Sequence, residues 1–247
     1  MADKLLKRID FLSDVPLFAE VNDSALAHIA NDFRERPYRK GTTIFNQDDR
    51  SRHFYVILKG KVRVYHLTRG GKETTVNIFG PRQLVGEFSF VDELPRSAFA
   101  EAITDCVLLE MSGDTGIHHM THVPALALSM CRQITKKVRW TTMYAETVSR
   151  LDAPGRLLHF LLEFNDQFGQ EIEPGHRYVV DLGLNQSDLA TLIGVDRPWL
   201  NKLLQGWRKR ELIEFNRGEI TILDLPRVEE ARDSHMDPII EEEDDDE

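Results

Sequence analysis

Residues 118–151 carry a helical pattern with no glycine and a single proline, Pro124, near its start. Leu126, Met130, Ile134, Val138, Thr141, Ala145 and Val148 recur at steps of three and four. That spacing gathers side chains on one stripe and, near a period of 3.5, forms the seam of a two-stranded coiled coil. Roughly 30 residues make a helix about 45 Å long, longer than a small domain is wide. A chain of 247 residues built around such a rod is expected to place one domain before it and one after it. The rod itself is expected to pair with a second copy in a homodimer; the competing arrangement is a helix packed on its own barrel. Pro124 either begins the rod or kinks it.

Upstream, residues 1–35 alternate helical patterns with breaks, and Asp23-Ser24 can cap the segment carrying Leu26, Ile29 and Phe33. From Arg36 the period changes. Thr42–Phe45, His53–Leu58, Lys61–Tyr65 and Thr74–Phe79 read as short strands, with turns at Gly41, Lys59-Gly60, Arg69-Gly70-Gly71 and Gly80-Pro81. Two more strands follow at Ala98–Ala102 and Val107–Met111. Short strands at this spacing predict a sandwich or barrel. Between the two groups lies GEFSFVDELPRSA, residues 86–98. It is an apolar run bracketed by one carboxylate, Glu87, and one guanidinium, Arg96. Its ends are either solvated surface or face something with both hydroxyls and a negative charge.

Downstream, Asp152-Ala153-Pro154-Gly155 breaks the rod. Residues 156–168 are helical, a hairpin-like stretch reaches Leu182, and residues 185–211 are helical again. Residues 212–223 read as two strands around Asn216-Arg217-Gly218. Within NQSDLATLIGVDRPWLNKLLQ, Ala190, Gly194 and Leu200 supply the small, turn and apolar positions of a helix-turn-helix. Asp196 is placed to cap its second helix, where Pro198 falls in the first turn. That helix would enter a major groove with Arg197, Trp199, Asn201 and Lys202 toward the bases, Trp199 having packing against the sugar-phosphate backbone as its alternative. Gln186, Ser187, Arg208 and Arg217 are expected at DNA, the basic ones as phosphate contacts together with Lys209 and Arg210.

The net charge of −10 is confined to one end: residues 229–247 hold eleven acids and one arginine. The body, residues 1–228, is therefore neutral, and the tail is expected to be disordered, an aid to solubility or a competitor for a basic surface. Two cysteines, Cys106 and Cys131, are too few for a disulfide framework and fit a cytoplasmic protein. No apolar run is long enough for a membrane span.

Taken together, GE…PRSA, the strand-punctuating glycines and LNQSDLATLIGVDRPWLNKLL resemble the cyclic-AMP receptor protein (CRP/FNR) superfamily of bacterial transcription regulators. The resemblance covers roughly residues 10–228. It implies an α+β fold with an N-terminal β-roll (jelly-roll) sensor at 1–117, a dimerisation helix at 118–151, a winged helix-turn-helix at 152–228 and the acidic tail at 229–247. By the same resemblance GE…PRSA is a phosphate-binding cassette: Glu87 accepts the ribose 2′-hydroxyl, Arg96 pairs with the cyclic phosphate and Ser97 adds a hydroxyl. Gly86, Phe88 and Ala98 complete the cassette, and backbone donors at a helix start near Phe88 would add to it. Thr141 and Thr142 stand where cAMP-responsive members place a Thr-Ser pair against the adenine. The implied effector is cAMP, with cyclic di-GMP or constitutive DNA binding through a vestigial pocket as alternatives. The implied partners are double-stranded DNA, a second copy and RNA polymerase. Pro198 departs from relatives that carry a glutamate there, so the preferred operator is expected to differ. His118, His119 and His122 form an incomplete metal set, and no metal is expected. A cupin-type enzyme is weakly supported because the strands hold only His53 and His66. The remaining rival is a structural dimer that binds protein through its tail.

Overall fold

The computed structural model describes residues 2–68, 70–216 and 218–235. They form two compact units. One holds the chain through Arg139 together with Gly183–Leu192; the other holds Trp140–Leu182 and the chain from Ile193 onward.

The first unit opens with α1 (Ala2–Ser13) and α2 (Asp23–Asp32). Asn22, one residue before the expected cap, accepts the Ala25 N–H and begins α2. Then come β1 (Arg34–Tyr38), β2 (Thr43–Phe45), β3 (Phe54–Lys59), β4 (Val62–Leu67), β5 (Glu73–Phe79) and β6 (Leu84–Val85). A single-turn helix, α3 (Phe88–Val91), precedes β7 (Phe99–Ala102) and β8 (Cys106–Met111). The strands form two four-stranded sheets, β1-β8-β3-β6 and β2-β7-β4-β5, in which neighbours run antiparallel.

β3 is apolar at successive positions because both its faces are covered. Successive side chains of a strand point to opposite faces. Phe54 and Val56 join a core with Phe18, Leu26, Phe33, Leu126 and Met130. Tyr55 and Ile57 enter a second core with Phe45, Val62, Val85 and Leu108. Phe90 of α3 stacks on Phe54, ring centroids 4.7 Å apart, so the middle of GEFSFVDELPRSA is fastened to the first core.

The helical stretch after β8 is two helices, α4 (Gly113–His122) and α5 (Pro124–Arg150). Val123, at φ −125° and ψ 83°, is out of the helical region because the ring of a following proline crowds it. Pro124 therefore begins the rod. The seam on α5 differs from the one its spacing implied. Leu126 and Met130 are buried in their own unit. The outward stripe is Leu128, Cys131, Thr135, Val138, Thr142, Ala145 and Val148, all exposed.

In the second unit, α6 (Ala153–Phe168) is followed by β9 (Gly169–Glu173) and β10 (Arg177–Asp181). After α7 (Gln186–Ile193), which clusters with the first unit, come α8 (Arg197–Lys209), β11 (Ile213–Asn216), β12 (Glu219–Ile222) and α9 (Leu225–Asp233). The strands form one sheet in the order β11-β12-β10-β9. Leu157, Leu158, Phe160, Leu161 and Phe164 of α6 are buried, as are Val180, Ile213, Ile220 and Ile222 of the sheet.

α9 corrects the reading of a disordered tail from residue 229 as far as residue 235, the last one described. Its helix runs to Asp233, capped by Asp224, which accepts the Arg227 N–H. It is anchored by buried Val228 and by Arg227, which donates to the Arg210 carbonyl. Beyond it, His235 Nδ1 lies 3.0 Å from Asp152 Oδ2, while Asp152 Oδ1 caps α6 through the Gly155 N–H. A side chain at Gly155 would meet His235 Cβ at 2.6 Å. Residues 236–247 lie outside the described residues.

Candidate effector site and reader helix

Arg96 is 1% exposed, and its partners carry no formal charge. Nη1 donates to the Gly86 carbonyl and Nη2 to the His53 carbonyl, both at 2.5 Å, and Nε and Nη2 reach Ser51 Oγ at 3.3 and 3.2 Å. The guanidinium lies 4.2 Å from the centroid of the Phe45 ring. Burial pulls its pKa down, opposed by the charges of Tyr55, Glu87 and Asp49. A desolvated cation whose direct hydrogen-bond partners are all uncharged, with carboxylates acting on it only from a distance, is electrostatically incomplete. Gly86 lets it in: at φ +79° the backbone is left-handed, and a Cβ there would stand 2.6 Å from Arg96 Nη1.

Glu87 is 2% exposed. Its Oε1 accepts from Lys137 Nζ at 2.6 Å. Its Oε2 is buried with no hydrogen-bond partner among the described residues. An acceptor in that state loses the hydration it has in water and gains nothing for it. Lys137 also donates to the Leu84 carbonyl at 2.8 Å and lies 4.4 Å from the Phe79 ring centroid. The sequence reading missed Lys137. It stands one helical turn before Thr141 on α5, and that spacing was the available signal.

The rest of the cassette is arranged around this pair. Ser97 is exposed and Ala98 buried. Phe88 is 39% exposed. α3 is a single turn whose N-cap, Glu87, makes no capping bond through its side chain, and four residues align too few peptide units to sum to a full helix dipole. Thr141 and Thr142 are exposed on α5. His119 turns to Asp32, with 2.8 Å between Nε2 and Oδ2, while His118 and His122 lie ring to ring at 4.3 Å. No three His, Cys, Asp or Glu side chains converge on a metal-sized space among the described residues.

The reader elements fold as their spacing predicts. Ala190 and Leu200 are buried, and Gly194 has φ +77°. Asp196 Oδ1 accepts the Trp199 N–H at 2.7 Å, and Pro198 lies in the first turn of α8. Arg197, Trp199, Lys202, Arg208, Lys209 and Arg210 are exposed, and Asn201 is half-buried. Gln186 and Ser187 sit in the first turn of α7, where Asn185 Oδ1 accepts the Ser187 and Asp188 N–H groups. Arg217 lies outside the described residues.

Residues 35–116 match the cyclic nucleotide-binding domain family, and residues 155–231 match the Crp-like helix-turn-helix domain. The chain belongs to the CRP/FNR superfamily. CRP/FNR proteins similar to it include the CRP-like cAMP-activated global transcriptional regulator of Mycobacterium tuberculosis, 26% identical over 219 residues, 89% of this chain and 97% of that one. The cyclic AMP receptor protein of Thermus thermophilus is 27% identical over 220 residues, 87% and 95% of the two chains. Among solved CRP/FNR structures, the c-di-GMP responsive global regulator CLP of Xanthomonas campestris superposes with a TM-score of 0.67 at 18% identity, covering 82% of this chain and 99% of that one. The CRP/FNR architecture pairs a nucleotide-binding-type domain with a DNA-binding one. Among the described residues no helix is long and apolar enough to cross a membrane.

Proposed function

We propose that this CRP/FNR regulator binds cAMP at Glu87 and Arg96 and couples it to sequence-specific DNA binding. The observation that carries the reading is a buried pair of unmet needs nine residues apart in GEFSFVDELPRSA. Among the described residues Arg96 is a buried cation with no carboxylate in salt-bridge contact, and Glu87 Oε2 is an acceptor without a donor. A ribose hydroxyl next to a cyclic phosphate meets both at once, and a forked guanidinium suits phosphate oxygens. Ser97 adds a hydroxyl to the phosphate. Thr141 and Thr142 offer hydroxyls to the base from α5. The similarity to cAMP-named relatives from two organisms supports cAMP as the nucleotide.

The exposed stripe on α5 joins two copies. Arg197, Trp199, Asn201 and Lys202 of α8 read base edges, while Gln186, Ser187 and Arg208 meet phosphates. RNA polymerase is the further partner of a DNA-bound regulator. The chain acts by binding and not by catalysis.

Competition calorimetry with cAMP, cGMP and cyclic di-GMP tests the effector. Arg96→Ala is expected to abolish cAMP binding while leaving the far-ultraviolet circular dichroism unchanged. Undiminished cAMP affinity in that variant removes the assignment, and preferential binding of cyclic di-GMP replaces the nucleotide while keeping the site. Selection from random duplexes, with and without cAMP, reads out the operator and the coupling together.

A further inference from the structure

β4 alternates, and its period places Arg63 on the face away from the core that Val62 enters. An arginine there is expected in water, yet Arg63 is 2% exposed. Its cover is α7, which the chain brings back more than a hundred residues later. Arg63 Nη1 donates to Asp188 Oδ1 at 3.2 Å and Nη2 to Thr191 Oγ1 at 3.4 Å. On its own sheet Nη2 reaches Glu73 Oε2 at 2.5 Å and Nε reaches Thr75 Oγ1 at 2.8 Å. Thr75 and Thr191 share a hydroxyl–hydroxyl bond of 2.8 Å, and Arg63 lies 4.5 Å from the Tyr65 ring centroid.

We propose that this cluster is a latch that holds α7 on the outer face of β4 and β5 and opposes DNA binding until it releases. The reason is its charge. Glu101 is the cross-strand neighbour of Arg63, so one guanidinium faces three carboxylates, Glu73, Glu101 and Asp188. Glu101 has its pKa raised, by burial first and by Asp188 and Glu73 in addition, against the pull of Arg63. Gln186 and Ser187 lie in the same first turn as Asp188. A DNA phosphate brought to that turn while it is docked meets a net negative cluster and is repelled. Release leaves Arg63 with Glu73 and carries Asp188 away, so the sheet keeps its own ion pair and α7 leaves the carboxylates of Glu73 and Glu101 behind.

The proposal rests on reading α7 and α8 as a DNA reader. Its test uses the full chain and a fluorescent duplex chosen by selection. The Asp188→Asn, Thr191→Val double variant keeps an acceptor for the Asn185 N–H that Asp188 now receives. It is expected to bind DNA without nucleotide about tenfold more tightly than the native chain, a step within ordinary allosteric coupling. In the opposite direction, Thr75→Cys with Thr191→Cys, in a Cys131→Ser background, closes a disulfide across the latch on treatment with an oxidant. The oxidised form is expected to lose DNA affinity in the presence of cAMP, and dithiothreitol to restore it. Equal binding by oxidised and reduced forms, or no gain in the release variant, overturns the latch and leaves the DNA reader intact. No DNA binding by the reduced or the release variant overturns latch and reader together.

Discussion

Lys137 meets Glu87 through a single carboxylate oxygen, and the other oxygen is left bare in a buried place. Removing the lysine alone would strand a whole carboxylate there. Lys137→Met is therefore expected to lower stability by about 2 kcal/mol, while adding Glu87→Gln recovers most of the loss. Urea unfolding of the two single variants and the double variant checks the cycle. An additive result would mean that the pair contributes nothing. Both ends of this candidate site stood out in the sequence, because a carboxylate and a guanidinium bracketing an apolar run are conspicuous. Lys137 was missed, because its one pointer was a helical turn's spacing from Thr141, and that spacing alone does not fix which face of α5 turns toward the cassette. Arg63 was hidden for the same kind of reason: alternation gives the face on which a side chain stands, not what covers that face.

Within α5 the spacing of apolar residues contains two stripes, and only the structure separates them. Leu126 and Met130 belong to the first core, while Val138 is 57% exposed and Leu128 51%. Val138→Lys is thus expected to weaken self-association at least tenfold without unfolding the chain, as measured by sedimentation. A charge at a seam position faces its own copy in a parallel pair. Leu126→Lys is expected to unfold the first unit instead. α6 supports a second prediction. Both ring nitrogens of His159 are buried without a hydrogen-bond partner. Burial, with help from Arg232 and against the pull of Glu146, holds its pKa below the ordinary histidine value. The folded state therefore binds this proton less readily than the unfolded state. The stabilisation is present above about pH 6.5 and is lost as pH falls below it. The melting temperature of the native chain is expected to drop between pH 7.5 and 5.5 by more than that of His159→Gln.

At the scale of the whole molecule, the change from short strands to a long helix to a helix-turn-helix was legible because each part keeps its own period. The far end was misread because composition outweighed pattern. Eleven acids in residues 229–247 masked Asp224, Pro226 and Val228, a helix start of ordinary kind. The charge that remains is concentrated: residues 236–247 hold eight acidic groups and no basic one. Deleting them is expected to raise DNA affinity at low salt and to leave it unchanged near 0.5 M, where charges more than a few ångströms apart are screened. Anisotropy titrations across salt decide it, and equal affinity at every salt concentration would reduce the tail to a solubility aid.

His235 has a practical bearing on all of these measurements. It is bonded to Asp152 and packed against Gly155, so a truncation that removes it takes a partner from the residue that caps α6. Shortened chains used for the salt titrations therefore have to end after His235, or a loosened helix start is read as an effect of charge.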